Sequence, residues 1–232
     1  MAEPSDSTGA PVTEGRLVIG TKRYSSWSLR GWLAVHLAGL KVEEVLIPLA
    51  ASTGGGTEAI KAATPAGLVP YLEHRGVRAW ESLSILEYCA EITPALWPSD
   101  RAARAHARSV AAEMHAGFRA LRIAMPMNLG RDDFAGRGRT PESLADIARI
   151  EAIWDECLRA HGGPFLFGEG FGAADAMFAP VVARFLTYKP DLSERSTAYA
   201  LAVRMHPLME RWYAEAGAEP REWLLDRYET LA

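Results

Sequence analysis

Apolar positions along this chain fall into two regimes: short runs up to about residue 92, and helical spacing beyond residue 100. Arg16-Leu17-Val18-Ile19-Gly20 is a short β-branched run and predicts a first strand. Leu29, Trp32, Leu33 and Leu37 follow at helical spacing, with Ser25 or Ser26 as N-cap and Gly39 where a helix C-terminus favours glycine. Gly31 within that helix works against it by roughly 1 kcal/mol relative to alanine. Val42 to Leu49 alternates and then runs apolar, a second strand parallel to the first. Glu58 to Ala63 makes a short helix stopped at Thr64-Pro65. Val69 to Leu72 reads as a buried strand, turned at His74-Arg75-Gly76 onto Val77 to Trp80. Ser82 to Ile92 is an amphipathic helix, so the order is β-α-β-α-β-β-α.

Thr93 to Asp100 has two prolines and no periodicity, and reads as a linker. Beyond it every long segment is helical. Arg101 to Met125 is a single Ala-rich helix ended at Pro126, and Arg131 to Thr140 is a Gly/Arg loop expected to be mobile. Pro141 opens a helix to about His161. Gly168 to Gly172 turns the chain into a nearly all-apolar helix, Ala173 to Phe185. A helix after His206-Pro207 runs to Ala216, and Trp223 to Leu231 closes the chain. The expected organisation is a loose tail (1–15), an α/β domain (16–92), a linker (93–100) and an all-helical domain (101–232).

Composition narrows the classes. The chain is 49% apolar and 23% charged with a net charge of −4, which points away from nucleic acid. No apolar run reaches about 18 residues, so no membrane span is expected. Cys89 and Cys157 sit in apolar helical runs without metal-ligand spacing and read as reduced core residues, which favours a cytoplasmic setting. The three glycines in Ala51 to Thr57 lack the Gly-Lys-Ser/Thr ending of a phosphate loop.

Candidate chemistry centres on Leu68-Val69-Pro70-Tyr71-Leu72 and Glu81-Ser82. Proline has no N–H for a ladder, so it belongs at a strand's first residues or edge, where it is also a candidate for a cis bond. The N–H and C=O of Val69 are then free for an extended peptide. Glu81-Ser82 adds a carboxylate, a hydroxyl and helix N-terminal donors, a set that suits a small zwitterionic peptide. The plainer alternative is an edge-strand proline beside an ordinary helix cap.

Four places together resemble the soluble glutathione transferases: Tyr24-Ser25-Ser26-Trp27-Ser28-Leu29-Arg30, Leu68-Val69-Pro70, Glu81-Ser82-Leu83-Ser84-Ile85-Leu86-Glu87-Tyr88, and Ala173-Ala174-Asp175-Ala176. The first looks most like the serine-type enzymes, especially the zeta class, which includes maleylacetoacetate isomerases. The resemblance spans roughly residues 16 to 225 and implies a thioredoxin-like N-terminal domain, an all-helical C-terminal bundle and glutathione as co-substrate. Two departures stand out: Gly172 replaces the Ser/Thr of the usual capping box, and Trp27 replaces the zeta-like cysteine.

By this resemblance Ser25 donates to the glutathione sulfur, with Ser26 next and Tyr24 third. Val69, with Pro70, holds the cysteinyl backbone, and Glu81 and Ser82 hold the γ-glutamyl end. Lys61 and Lys41 are candidates for the glycyl carboxylate. Met114, Phe118 and Arg122 are candidates for the pocket of a hydrophobic electrophile, or equally for core or dimer contacts. Arg30 and Asp175 are expected to be structural. The implied activity is thiol transfer to an electrophile by a homodimer. The alternatives are a zeta-like isomerase and a non-catalytic module that keeps the fold for binding.

Overall fold

The computed structural model describes residues 13–49 and 57–230. Most of the tail and the glycine run at 54–56 therefore lie outside the described residues. The first half is β1 (Gly15–Gly20), α1 (Ser26–Leu37), β2 (Glu43–Ile47), α2 (Glu58–Ala63), β3 (Tyr71–His74), β4 (Val77–Trp80) and α3 (Ser82–Ile92). The strands form one sheet in the order β2-β1-β3-β4, with β1 parallel to β2 and the other two pairings antiparallel. The end of the expected tail is not loose. Gly15 opens β1, and Glu14 pairs with Arg75 at 2.5 Å and with His74 at 3.2 Å.

The third strand begins two residues later than the sequence suggests. Val18 pairs with Tyr71 at its start, so Val69 and Pro70 precede the ladder, joined by a cis peptide bond. The turn after β3 places Arg75 and Gly76 at positive φ, as a tight hairpin requires.

The second half is α4 (Arg101–Ala116), α5 (Arg119–Ala124), α6 (Pro141–His161), α7 (Ala173–Tyr188), α8 (Glu194–Arg204), α9 (Pro207–Gly217) and α10 (Asp226–Glu229). The single helix expected over Arg101 to Met125 is two. Gly117 closes α4, and Phe118 follows at φ 59, which turns the chain before α5. The loop expected to be mobile is anchored: Phe134 is fully buried, and the Gly136 N–H donates to the Tyr188 carbonyl at 3.0 Å. Helix α8 was not anticipated; Ser193 caps it, and Tyr199, Ala200 and Val203 form its inner face.

Helix α7 is the axis of the molecule, with 15 of its 16 residues buried among α1, α4 and α8. Asp175 accepts the N–H of Gly172 at 2.8 Å and of Leu166 at 3.0 Å and the hydroxyl of Tyr199 at 3.1 Å. It closes the helix start although Gly172 has no side chain to reciprocate. Burial nevertheless pushes its carboxyl up to about 6. A second tie joins the halves: the buried Lys22 ammonium pairs with Glu44 at 2.9 Å and with Glu215, between the rings of Trp32 and Trp212. Cys89 and Cys157 are free and buried, and burial raises both thiols to about 12.

Candidate active site

A cavity of about 570 Å³ lies where the β1–α1 loop, the Val69–Pro70 segment and the start of α3 face α5, α7 and α10. The first half contributes Ser25, Ser26, Trp27, Val69, Pro70 and Glu81 to its wall. The helical half contributes Arg122, Met127, Arg184, Arg227 and Tyr228.

Ser25 is the N-cap of α1, its Oγ accepting the Ser28 N–H at 3.2 Å. Ser25 Oγ donates to Ser28 Oγ at 2.7 Å, and Ser28 Oγ also accepts the Gly20 N–H at 2.9 Å. A hydroxyl gives one hydrogen and takes two. The Ser25 hydrogen is thus engaged by Ser28 Oγ, and the hydroxyl must turn from Ser28 to donate to a group in the cavity. Ser26 is the first residue of α1, and its Oγ accepts from Arg184 Nη2 at 3.4 Å.

Tyr24 also touches the cavity, but its hydroxyl is committed. It donates to Glu229 Oε1 at 2.5 Å and accepts the Leu225 N–H at 3.3 Å. Burial and the Glu229 carboxylate push the phenol well above its ordinary value. Such a group is poorly placed to serve as a third sulfur donor.

Glu81 sits at φ 67 and ψ 127, makes no capping bond and keeps its side chain largely exposed, 3.8 Å from His115 Nε2. Ser82 is buried, off the cavity wall, and its Oγ has no hydrogen-bond partner among the described residues.

The expected electrophile pocket needs correction. Met114 lies on the buried face of α4, and Phe118 turns its ring inward; both belong to the core rather than the cavity wall. Arg122 does line the cavity. Its guanidinium caps α4 through the carbonyls of Met114 and Gly117, leaving Nη1 buried without a hydrogen-bond partner among the described residues. Lys61 pairs with Glu58 at 2.8 Å on an exposed face, and neither it nor Lys41 reaches the wall.

Sequence reasoning missed a cluster of cations. Arg30 and Arg122 each approach the Trp27 ring, at 4.8 and 4.7 Å, and Arg184 stands beside Ser26. None of the three forms an ion pair among the described residues. Burial lowers all three, Arg122 to about 10 and Arg184 to about 9. Mutual repulsion adds to this for Arg30 and Arg184. The available signal was Arg184 itself, the one charged residue in an otherwise apolar stretch from Ala176 to Tyr188.

The sequence pattern described as glutathione S-transferase, N-terminal domain, matches residues 24–92, and that of the C-terminal domain matches residues 133–215. The chain belongs to the glutathione S-transferase family. With that membership it is a glutathione-dependent enzyme. Among curated relatives, maleylacetoacetate isomerase of Rattus norvegicus is 28% identical over 189 residues, 79% of this chain and 84% of the relative. The probable maleylacetoacetate isomerase of Caenorhabditis elegans is 26% identical over 177 residues, 74% of this chain and 79% of that one. Among solved structures, a Burkholderia glutathione transferase homolog with bound glutathione aligns with a TM-score of 0.68 at 19% identity, over 89% of this chain and all of that one. The maleylacetoacetate isomerase of Anaeromyxobacter dehalogenans with bound glutathione aligns at 0.62 and 23% identity, over 89% and 97%. At these identities the structural likenesses speak for the family fold.

Proposed function

We propose that the cavity binds glutathione and activates its thiol for attack on a second substrate. One observation carries this reading: Ser25, Val69 and Glu81 come from three separate segments of the chain and share one cavity wall. Val69 lies outside the sheet register, so its backbone is available to the cysteinyl unit as a strand partner would be. Glu81 supplies the counter-charge for the γ-glutamyl ammonium. The backbone N–H groups at the N-terminus of α3, beside Glu81, supply donors for its carboxylate.

A free thiol near pKa ~8.5 is only a few per cent ionised at neutral pH. Lowering it by about two units needs roughly 2.7 kcal/mol of preference for the thiolate. The Ser25 hydroxyl and the positive end of α1 are the groups placed to supply it.

The guanidinium groups of Arg122 and Arg184 on the wall favour a second substrate with an acidic group over a purely hydrophobic electrophile. That observation supports the zeta-like isomerase alternative, since the curated relatives are named for a substrate bearing carboxylates. Glutathione binding by calorimetry tests the shared part of both readings, and absent binding would leave the non-catalytic module. Rates with an uncharged aryl halide and with a cis-unsaturated diacid separate transferase from isomerase.

A homodimer is part of the same proposal, supported by half-exposed Val77 and Trp80 on the edge strand β4. Light scattering at micromolar protein decides it. The two buried, unpaired cysteines support a cytoplasmic setting, and no helix of the described residues is long and apolar enough to cross a membrane.

A further inference from the structure

Arg184 is buried on α7 and held by backbone at two of its nitrogens. Nε donates to the Met125 carbonyl at 2.8 Å and Nη1 to the Pro180 carbonyl at 2.9 Å. The remaining nitrogen, Nη2, reaches Ser26 Oγ at 3.4 Å on the cavity wall. No carboxylate pairs with it among the described residues, and the nearby charge of Arg122 opposes its own. A buried, unneutralised cation is costly unless something compensates it. Here the two carbonyls fix its position, and the cavity is where an anion would complete it.

We propose that Arg184 is a positioning residue for thiol activation: it donates to Ser26 Oγ, so that the Ser26 hydrogen points to the bound sulfur with a positive charge behind it. The inference rests on the reading that glutathione places its sulfur at Ser25–Ser26. A hydroxyl whose acceptor side faces a guanidinium must turn its single hydrogen elsewhere. Ser26 has no other side-chain partner among the described residues, and its open side is the cavity. Burial lowers the guanidinium only to about 9, so it still carries its charge at neutral pH. The proton balance is simple: the thiol releases its proton to solvent, and Ser26 keeps its own and shares it in a hydrogen bond to the thiolate.

The test is the ionisation of bound glutathione, followed by thiolate absorbance against pH in the wild type, Ser26→Ala, Arg184→Met and the double variant. Each single change should raise the midpoint by about one pH unit, a tenfold loss of thiolate on the acid side. Glutathione affinity should stay within about threefold, because the hydroxyl favours the anion over the neutral thiol. The double variant should shift less than the sum of the singles, since one residue acts through the other. Circular dichroism checks the fold; if Arg184→Met loses it, Arg184→Gln, which can still donate to Met125, takes its place. An unmoved midpoint in either single variant, or strictly additive shifts, overturns the role of Arg184. Absence of glutathione binding by the wild type would instead overturn the reading beneath it.

Discussion

A Cβ added at Gly31 would stand 2.7 Å from Cγ of Pro70 and 2.8 Å from its Cβ. Helix α1 therefore rests directly on the proline ring, and that contact sets the spacing between the serines at its start and the Val69 backbone. It also explains why a glycine occupies the middle of a helix.

Gly31→Ala should destabilise the protein even though alanine is the better helix former. Overpacking costs typically about 1–3 kcal/mol, against roughly 1 kcal/mol regained in helix propensity. We expect a lower Tm together with weaker glutathione binding, because relief requires α1 and the Val69–Pro70 segment to move apart. A variant as stable as the wild type with unchanged affinity would mean that the contact is relieved without moving either.

Glu81→Gly should separate stability from binding. A non-glycine residue at φ 67 and ψ 127 holds strain on the order of 1–3 kcal/mol, which glycine releases in part. Its carboxylate meanwhile serves the ligand's ammonium in the proposed complex. Denaturant unfolding should show equal or higher stability, and calorimetry a loss of glutathione affinity of at least about tenfold, or ~1.4 kcal/mol. Unchanged affinity would remove Glu81 from the site.

Tyr24→Phe should leave the titration of bound glutathione where it is, because the phenol is engaged by Glu229 and Leu225. It should lower stability by about 1.5–3 kcal/mol, the range for a hydrogen bond to a charged group. Asn128 Nδ2 at 2.9 Å and Arg131 at 3.7 Å remain as partners for Glu229, which favours the lower end. A shifted thiol midpoint would return the tyrosine to the chemistry.

How much was legible depended on whether local chemistry or tertiary facing set the outcome. The start of α6 followed from Pro141, and that of α1 from the Ser25-Ser26 pair, of which Ser25 is the cap, because caps and first-turn prolines act locally. Gly117-Phe118 broke a predicted helix because a left-handed phenylalanine depends on the core its ring enters, which spacing does not reveal. Met114 and Phe118 stayed open between pocket and core for the same reason, since periodicity gives a buried face and not whether core or cavity covers it; the structure puts both in the core. Ser25, Val69 and Glu81 stand out in the sequence because each carries a backbone or capping signal of its own, and the fold brings the three to one cavity wall. Arg184 carried only its oddity among apolar neighbours, and its meaning came from Ser26, 158 positions away in sequence.

Glu44→Gln should destabilise the protein in a pH-dependent way. Burial pushes its carboxyl up, but hydrogen bonds from His36 and Lys22 and the Lys22 charge outweigh that and hold it at about 2, against an ordinary 4.5. A depressed carboxyl stabilises the fold above its unfolded value and loses that contribution as pH falls toward its folded one. The wild type should exceed the variant by up to about 3 kcal/mol near neutrality, with the gap closing between pH ~4.5 and ~2. A gap that stays constant on acidification would show that the loss is packing rather than charge.

Glu219 accepts the backbone N–H groups of Lys22 and Arg23, and Glu229 holds Tyr24 across 205 positions of sequence. The loop that bears the serines is thus fastened by residues made long after it. At roughly 5–20 residues per second on the ribosome, the loop that bears the serines waits on the order of ten to forty seconds for that fastening. During synthesis the chain carries the sheet-side half of its cavity, with the wall of Arg227 and Tyr228 still to come. The cavity, on this architecture, is completed by the packing of the later segment from Glu219 to Glu229 and not by the folding of the first domain.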